Sequence, residues 1–194
     1  MYQKRNKELK VMELYLPDYK KQFYLREISK LAKIPLKTTQ IILSNLEKDR
    51  VLKSAISGKN RYFRLNLDSI HTKFILQQAE IIRTSAFLEK YPFFKTFLKE
   101  LNAKNPIIVF GSFARFEAKE DSDIDLLVIP KEKGVPLHLL PNKVHEIEMS
   151  KEAFIKALRR DEALIKEIQK NHVILNEHSF YVNAMWGFYG RQAA

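Results

Sequence analysis

The chain has 194 residues, 45% of them apolar, with 34 Lys and Arg against 23 Asp and Glu for a formal charge of +11, and it has no cysteine. That length suits one ordinary domain or two small ones, and the apolar fraction suffices for a packed core, which excludes disordered and collagen-like chains. Without cysteine there is no disulfide framework, no thiol catalysis and no Cys-ligated zinc or iron–sulfur site, so a metal must be held by oxygen or imidazole. No apolar run approaches the roughly eighteen residues of a membrane span, and the start MYQKRNKELK lacks the apolar segment of a signal peptide. The expectation is a cytoplasmic protein with no membrane partner.

The charge is uneven. Up to Ser69 there are 16 Lys and Arg against 7 Asp and Glu, leaving 18 against 16 for the rest. A basic excess concentrated on a small module favours a polyanion, most often nucleic acid, because phosphate contacts release condensed counterions. The alternative is a solvated basic surface that aids solubility.

In chain order, residues 5–16 carry apolar positions among charges and suit a helix ending before Pro17. Residues 24–32 put Leu25, Ile28, Leu31 and Ala32 on one helical stripe, broken by Ile34-Pro35. A third helix spans 36–48 with Ile42, Leu43 and Leu46 inward, leaving Lys37, Thr38, Gln40, Ile41 and Ser44 outward. Two strand-like runs, 51–56 and 61–66, then flank the turn-rich Ser57-Gly58-Lys59-Asn60 and predict a β-hairpin. This order resembles the winged helix-turn-helix family over roughly residues 5–68, carried by ISKLAKIPLKTTQIILSNLEKDRVLKSAISGKNRYFRLN. The resemblance implies DNA as a partner of residues 1–68, with the third helix in the major groove and the hairpin on the backbone or minor groove. Lys53, Lys59, Arg61 and Arg64 would then bind phosphates, and Lys37, Thr38 and Gln40 would sit near base edges. The third helix holds no Arg and presents Ile41, which leaves open a module that pairs into a homodimer or holds a partner protein.

Residues 69–91 form the expected connector, one long amphipathic helix over 70–90 without Gly or Pro. After Tyr91-Pro92 a helix over 93–103 turns Phe94, Phe97, Leu98 and Leu101 inward, a spacing that speaks for core rather than for stacking on bases.

The chemistry-bearing segment follows. Ile107-Ile108-Val109-Phe110 is a short buried strand that ends abruptly in Gly111-Ser112, and Asp123-Ile124-Asp125 opens a second apolar strand. Alternation puts Asp123 and Asp125 on one face. Two carboxylates that close repel each other unless a cation sits between them, and Mg²⁺ is the natural choice because it takes carboxylate oxygens together with waters and phosphates. One of only five glycines stands between a strand and a helix expected over 113–117, which suggests close backbone approach by a ligand. Ser112 and the first N–H groups of that helix can receive phosphate oxygens, and Arg115 adds positive charge beside them.

Gly111-Ser112, ten intervening residues and Asp123-x-Asp125, inside IIVFGSFARFEAKEDSDIDLLVIP, closely resemble the minimal nucleotidyltransferases of the DNA-polymerase-β-like superfamily, over about residues 92–176. The resemblance implies that Asp123 and Asp125 hold two Mg²⁺ ions, and that Gly111, Ser112 and Arg115 bind the triphosphate of an NTP, taken as ATP. It also implies a third carboxylate on a neighbouring strand, as metal ligand and aid in deprotonating the acceptor. On the expected strand 143–149, Glu146 and Glu148 alternate onto one face and either can serve, with Glu148 preferred; His145 lies on the opposite face and reads as structural or surface. Phe116 stands where members of that family commonly carry Gly. Helices over 151–160 and 162–170, a strand over 172–175 and a last helix over 178–189 complete residues 92–194 as the nucleotidyltransferase-like domain.

The expected fold is therefore α+β: an N-terminal winged helix-turn-helix, a helical connector and a C-terminal polymerase-β-like domain with a mixed sheet. The expected function is Mg-dependent transfer of a nucleotidyl group from an NTP to an acceptor hydroxyl, coupled to a nucleic-acid-binding module. The alternative is a DNA-binding regulator, antitoxin-like, whose second domain only binds nucleotide or mediates assembly.

Overall fold

The computed structural model describes residues 2–101, 105–129 and 135–191. It divides into two compact units, one taking in residues up to Ala79 and the chain from Met185 on, the other Glu80–Ala184.

The first unit begins with α1 (Tyr2–Glu13), a two-residue strand β1 (Phe23–Tyr24), α2 (Leu25–Ala32) and α3 (Leu36–Lys48). Tyr24, expected inside the helix, instead ends β1, and the Glu27 carboxylate accepts from its N–H at 3.4 Å. The break after α2 is fixed locally: Lys33 takes the left-handed conformation at φ 54°, and the hydroxyls of Ser29 and Thr39 both donate to the Ile34 carbonyl. β2 (Leu52–Ser57) and β3 (Asn60–Leu65) pair antiparallel, with β1 on the other side of β3. Ser57 pairs with Asn60, so the hairpin turn shrinks from the expected tetrapeptide to Gly58-Lys59, with Gly58 at φ +58°. Met12, Tyr15, Ile28, Ile42, Leu43 and Leu52 are fully buried between these elements. The Tyr15 hydroxyl donates to the Phe63 carbonyl at 3.0 Å, and burial pushes that phenol far above its usual range.

The second unit holds the C-terminal part of α4 (Ile70–Lys90), then α5 (Phe93–Lys99), β4 (Ile107–Phe110), α6 (Gly111–Ala114), β5 (Ile124–Val128), a 3₁₀ turn at Leu137–Leu139, β6 (Val144–Glu148), α7 (Lys151–Arg159), α8 (Ala163–Lys170), β7 (Val173–Asn176) and the start of α9 (His178–Arg191). Residues 102 and 103, expected at the end of the α5 helix, lie outside the described residues. The sheet runs β6-β5-β4-β7 and is mixed: β5 and β6 are parallel, and the other pairs are antiparallel. One face packs on the phenylalanines whose helical spacing assigns them to the core: Phe87, Phe94 and Phe97 are fully buried, with ring centroids of Phe87 and Phe94 4.8 Å apart. No helix among the described residues is long and apolar enough to cross a membrane.

A buried polar cluster lies behind this sheet. His172 faces the Glu80 carboxylate at 2.9 Å and the Ile168 carbonyl at 2.9 Å, while the Thr84 hydroxyl donates to the Ile174 carbonyl and meets His178 Nε2 at 3.0 Å. Burial holds the His178 pKa below its usual value, opposed in part by the Glu80 carboxylate. The unfolded chain thus binds this proton at higher pH than the fold does. The stabilisation is complete above about pH 6.5 and is lost as pH falls toward the folded-state pKa. Urea midpoints measured from pH 7.5 down to 5 are expected to fall more steeply for the parent chain than for His178→Gln; equal slopes would contradict this assignment.

Candidate functional site

The site starts at the C-terminal end of β4, where Phe110 pairs with Asp125 of β5. The chain turns directly from β4 into α6 at Gly111, φ +67°, and a Cβ there would lie 2.2 Å from Asp125 Oδ2 and 3.2 Å from its Cγ. Gly111 is therefore required twice, by its left-handed backbone and by the carboxylate against it. The helix begins two residues earlier than expected and ends at Ala114. Beyond it, N–H groups of Arg115, Phe116 and Glu117 bond back to Gly111, Phe113 and Ser112 carbonyls, and Phe116 adopts φ +62°. Ser112 is half-buried at the mouth of this turn. The Arg115 guanidinium is exposed and bonds the Glu117 carboxylate at 3.2 Å.

Asp123 and Asp125 lie at the start of β5. Ile124, Leu126 and Val128 are buried on one face of that strand, which leaves the two aspartates together on the other. The loop ahead of them is held by the Asn142 side-chain amide, which donates to the carbonyls of Glu120 at 2.7 Å and Ser122 at 3.1 Å. The carboxylates keep 39% and 29% exposure, open to a ligand.

The parallel register of β5 and β6 decides what joins them. Glu146 stands opposite Leu126 and Glu148 opposite Val128, on the face of the apolar residues, whereas His145 stands opposite Asp125. Its imidazole is bracketed by the aspartates, with Nε2 3.4 Å from Asp123 Oδ2 and Nδ1 3.5 Å from Asp125 Oδ1; Lys143 Nζ is 3.8 Å from the same Asp123 oxygen. The two glutamates expected to supply a third carboxylate are thus not brought to the aspartates, and the histidine assigned to structure or surface is. Burial and then the neighbouring Glu148 raise the Glu146 pKa.

Among the described residues no group of three or more His, Cys, Asp or Glu is arranged to hold a metal ion. Mg²⁺ needs only one or two carboxylates when waters and phosphates fill its other positions, so Asp123 and Asp125 fit one ion carried in with a triphosphate. The residue that the neighbouring strand sets beside the two aspartates is His145, an imidazole and not a carboxylate.

In the first unit Lys37, Gln40, Lys59 and Arg64 are exposed, Thr38 is half-buried, and Ile41 is 52% exposed on the same helix. Two of the cations expected to meet phosphates are engaged internally. Arg61 Nη2 bonds both Glu47 oxygens at 2.7 and 2.6 Å and its Nε bonds Ser54 at 2.8 Å, while Lys53 pairs with Asp68. The Ser54 hydrogen bond, then Arg61, hold Glu47 below the usual carboxylate pKa, and Lys53 does the same for Asp68.

No curated protein and no solved structure matches the chain. Residues 94–180, which contain the Gly111 turn, both aspartates and all four strands of the mixed sheet, match the family model described as polymerase beta, nucleotidyltransferase. Residues 94–180 are thus similar to the polymerase-beta nucleotidyltransferase family, within an α+β frame.

Proposed function

We propose that this domain transfers a nucleotidyl group from an NTP to an acceptor hydroxyl. The observation that carries the reading is the Gly111 turn held against Asp125, with Asp123 on the same strand face. Ser112 and the leading N–H groups of the turn bind the β- and γ-phosphates, and the Arg115 guanidinium adds positive charge once it leaves Glu117. Asp123 and Asp125 hold Mg²⁺, which when bound neutralises phosphate charge. The acceptor oxygen forms its bond to the α-phosphorus, the bond to the bridging oxygen breaks, and pyrophosphate and a proton are released.

A specific observation favours a second reading, in which the domain binds nucleotide without transferring it: the residue facing Asp125 from the neighbouring strand is His145 and not a carboxylate. Calorimetry with Mg²⁺ and each NTP, followed by label transfer from α-labelled NTP, separates the two. Transfer to a protein, nucleic-acid or small-molecule acceptor supports the enzyme. Binding without transfer supports the regulator, and no binding removes both.

Residues 1–68 are read as a winged helix that brings the domain to DNA, supported by the helix, helix, hairpin order and the basic excess. Lys37, Thr38 and Gln40 face base edges in this reading, and Lys59 and Arg64 bear more of the phosphate contact than Lys53 and Arg61, which carboxylates already neutralise in part. The logarithm of the binding constant for a DNA duplex falls linearly with that of salt concentration. Lys59→Ala or Arg64→Ala is expected to lower the slope by about 0.9 each, and Lys53→Ala or Arg61→Ala by less. Anisotropy titrations across salt check this, and affinity indifferent to salt would remove DNA as the partner.

A further inference from the structure

The turn that meets the phosphates is only four helical residues long, and its far end is held from outside. Arg83 of α4 donates from Nη2 to the Ala114 carbonyl at 3.0 Å and from Nε to the His172 carbonyl at 2.8 Å, so one guanidinium ties the last residue of α6 to the start of β7. Its Cζ lies over the Phe116 ring, 5.4 Å from the centroid. Phe116 holds the left-handed conformation at φ +62°, costly for a bulky side chain, and its ring edges onto Phe87 at 5.9 Å while Lys90 donates to its carbonyl. Residues 83, 87 and 90 are spaced to share one face of α4, and together they contact residues 114 and 116.

We infer that Arg83 is a positioning residue for nucleotide binding: by its hydrogen bond to the Ala114 carbonyl and its contact with the Phe116 ring, it sets where the Gly111–Arg115 turn stands relative to Asp125. This rests on the nucleotide reading above. A merely structural arginine would affect only the fraction of chains folded. A positioning arginine alters the affinity of chains that are folded, because displacement of the turn by an ångström moves every donor it carries. Phe116 acts in the same way from the other side of the guanidinium, its strained backbone kept in place by the contact.

The test uses the full chain and Mg²⁺ with ATP as the probe. Arg83→Met keeps the apolar stem and removes both hydrogen bonds, and it is expected to raise the dissociation constant, or KM, by at least about tenfold with kcat at saturation within about twofold. Arg83→Lys, which retains one charged donor, should recover part of the affinity. Phe116→Gly accepts the positive φ without strain and removes the ring that Arg83 contacts, and it should weaken binding in the same direction. Affinities within twofold of the parent for Arg83→Met and Phe116→Gly would overturn the inference. Amide hydrogen exchange of residues 112–116 without nucleotide supplies the independent readout. Faster exchange confined to that segment in the Arg83 variants is expected, and unchanged exchange would overturn the inference. Should the parent chain bind no NTP, the nucleotide reading fails on that result alone, and the exchange measurement still decides whether Arg83 holds the turn.

Discussion

Gly111→Ala is expected to weaken nucleotide binding severely and to destabilise the fold, and the second effect should shrink, leaving only its backbone part, when Asp125 is removed. A residue with a Cβ pays about 1–2 kcal/mol to stand in the left-handed region. At φ +67° that cost applies in full, and the new carbon would fall 2.2 Å from Asp125 Oδ2, so the carboxylate has to swing away from the position it shares with Asp123. The same variant therefore disturbs both halves of the site at once, and affinity for Mg²⁺ with ATP should drop by about a hundredfold or more. The signature is in the coupling. In Asp125→Ala only the Cβ remains near position 111, at 3.6 Å from an added Cβ, an ordinary contact. The double variant Gly111→Ala with Asp125→Ala should then be more stable than the sum of the single changes, by about 1 kcal/mol or more. Strict additivity in denaturant unfolding would mean that Gly111 and Asp125 are not packed against each other.

That contact also marks how far the amino-acid sequence is legible. Gly111 is readable as a close approach because glycine is scarce in this chain and stands between a strand and a helix, and Asp123 and Asp125 share a face by the two-residue period of a strand. The helices and the aromatic core follow from periodicity in the same way. What period alone does not contain is which strand neighbours which, and in what register. Residues 144–148 alternate, so they offer His145 to one face and Glu146 and Glu148 to the other, and the chemistry of a metal site argues for the glutamates. The parallel pairing of Asp125 with His145 gives the face to the imidazole instead. Phe23-Tyr24 poses a similar problem on a smaller scale, since two residues carry no period and only β3 beside them makes a strand. Arg83 is invisible for a further reason: its partners are the carbonyls of Ala114 and His172, and a carbonyl leaves no trace in residue type.

The register makes an unequal set of site variants, with the largest loss at the aspartates. Asp123→Asn and Asp125→Asn keep the size of the side chain and remove the charge proposed to hold Mg²⁺. Without ligand both should unfold near the parent midpoint, since the carboxylates are part-exposed and, among the described residues, their charged neighbours are His145 and Lys143. With Mg²⁺ and ATP at a hundred times the dissociation constant, the parent gains about 2.7 kcal/mol of stability. The Asn variants should gain almost none, and label transfer should fall about a thousandfold, in line with the several kcal/mol a metal contributes to charge stabilisation. Glu146→Gln and Glu148→Gln should leave both readouts close to the parent, because their side chains stand on the face of Leu126 and Val128. His145→Ala should fall between these limits, as it removes a neighbour of both aspartates without removing a negative charge. If Glu148→Gln proved as damaging as Asp125→Asn, β6 would have to pair one residue out of register, and the Ile124 to Val144 alignment that sets the whole edge of the sheet would be wrong with it.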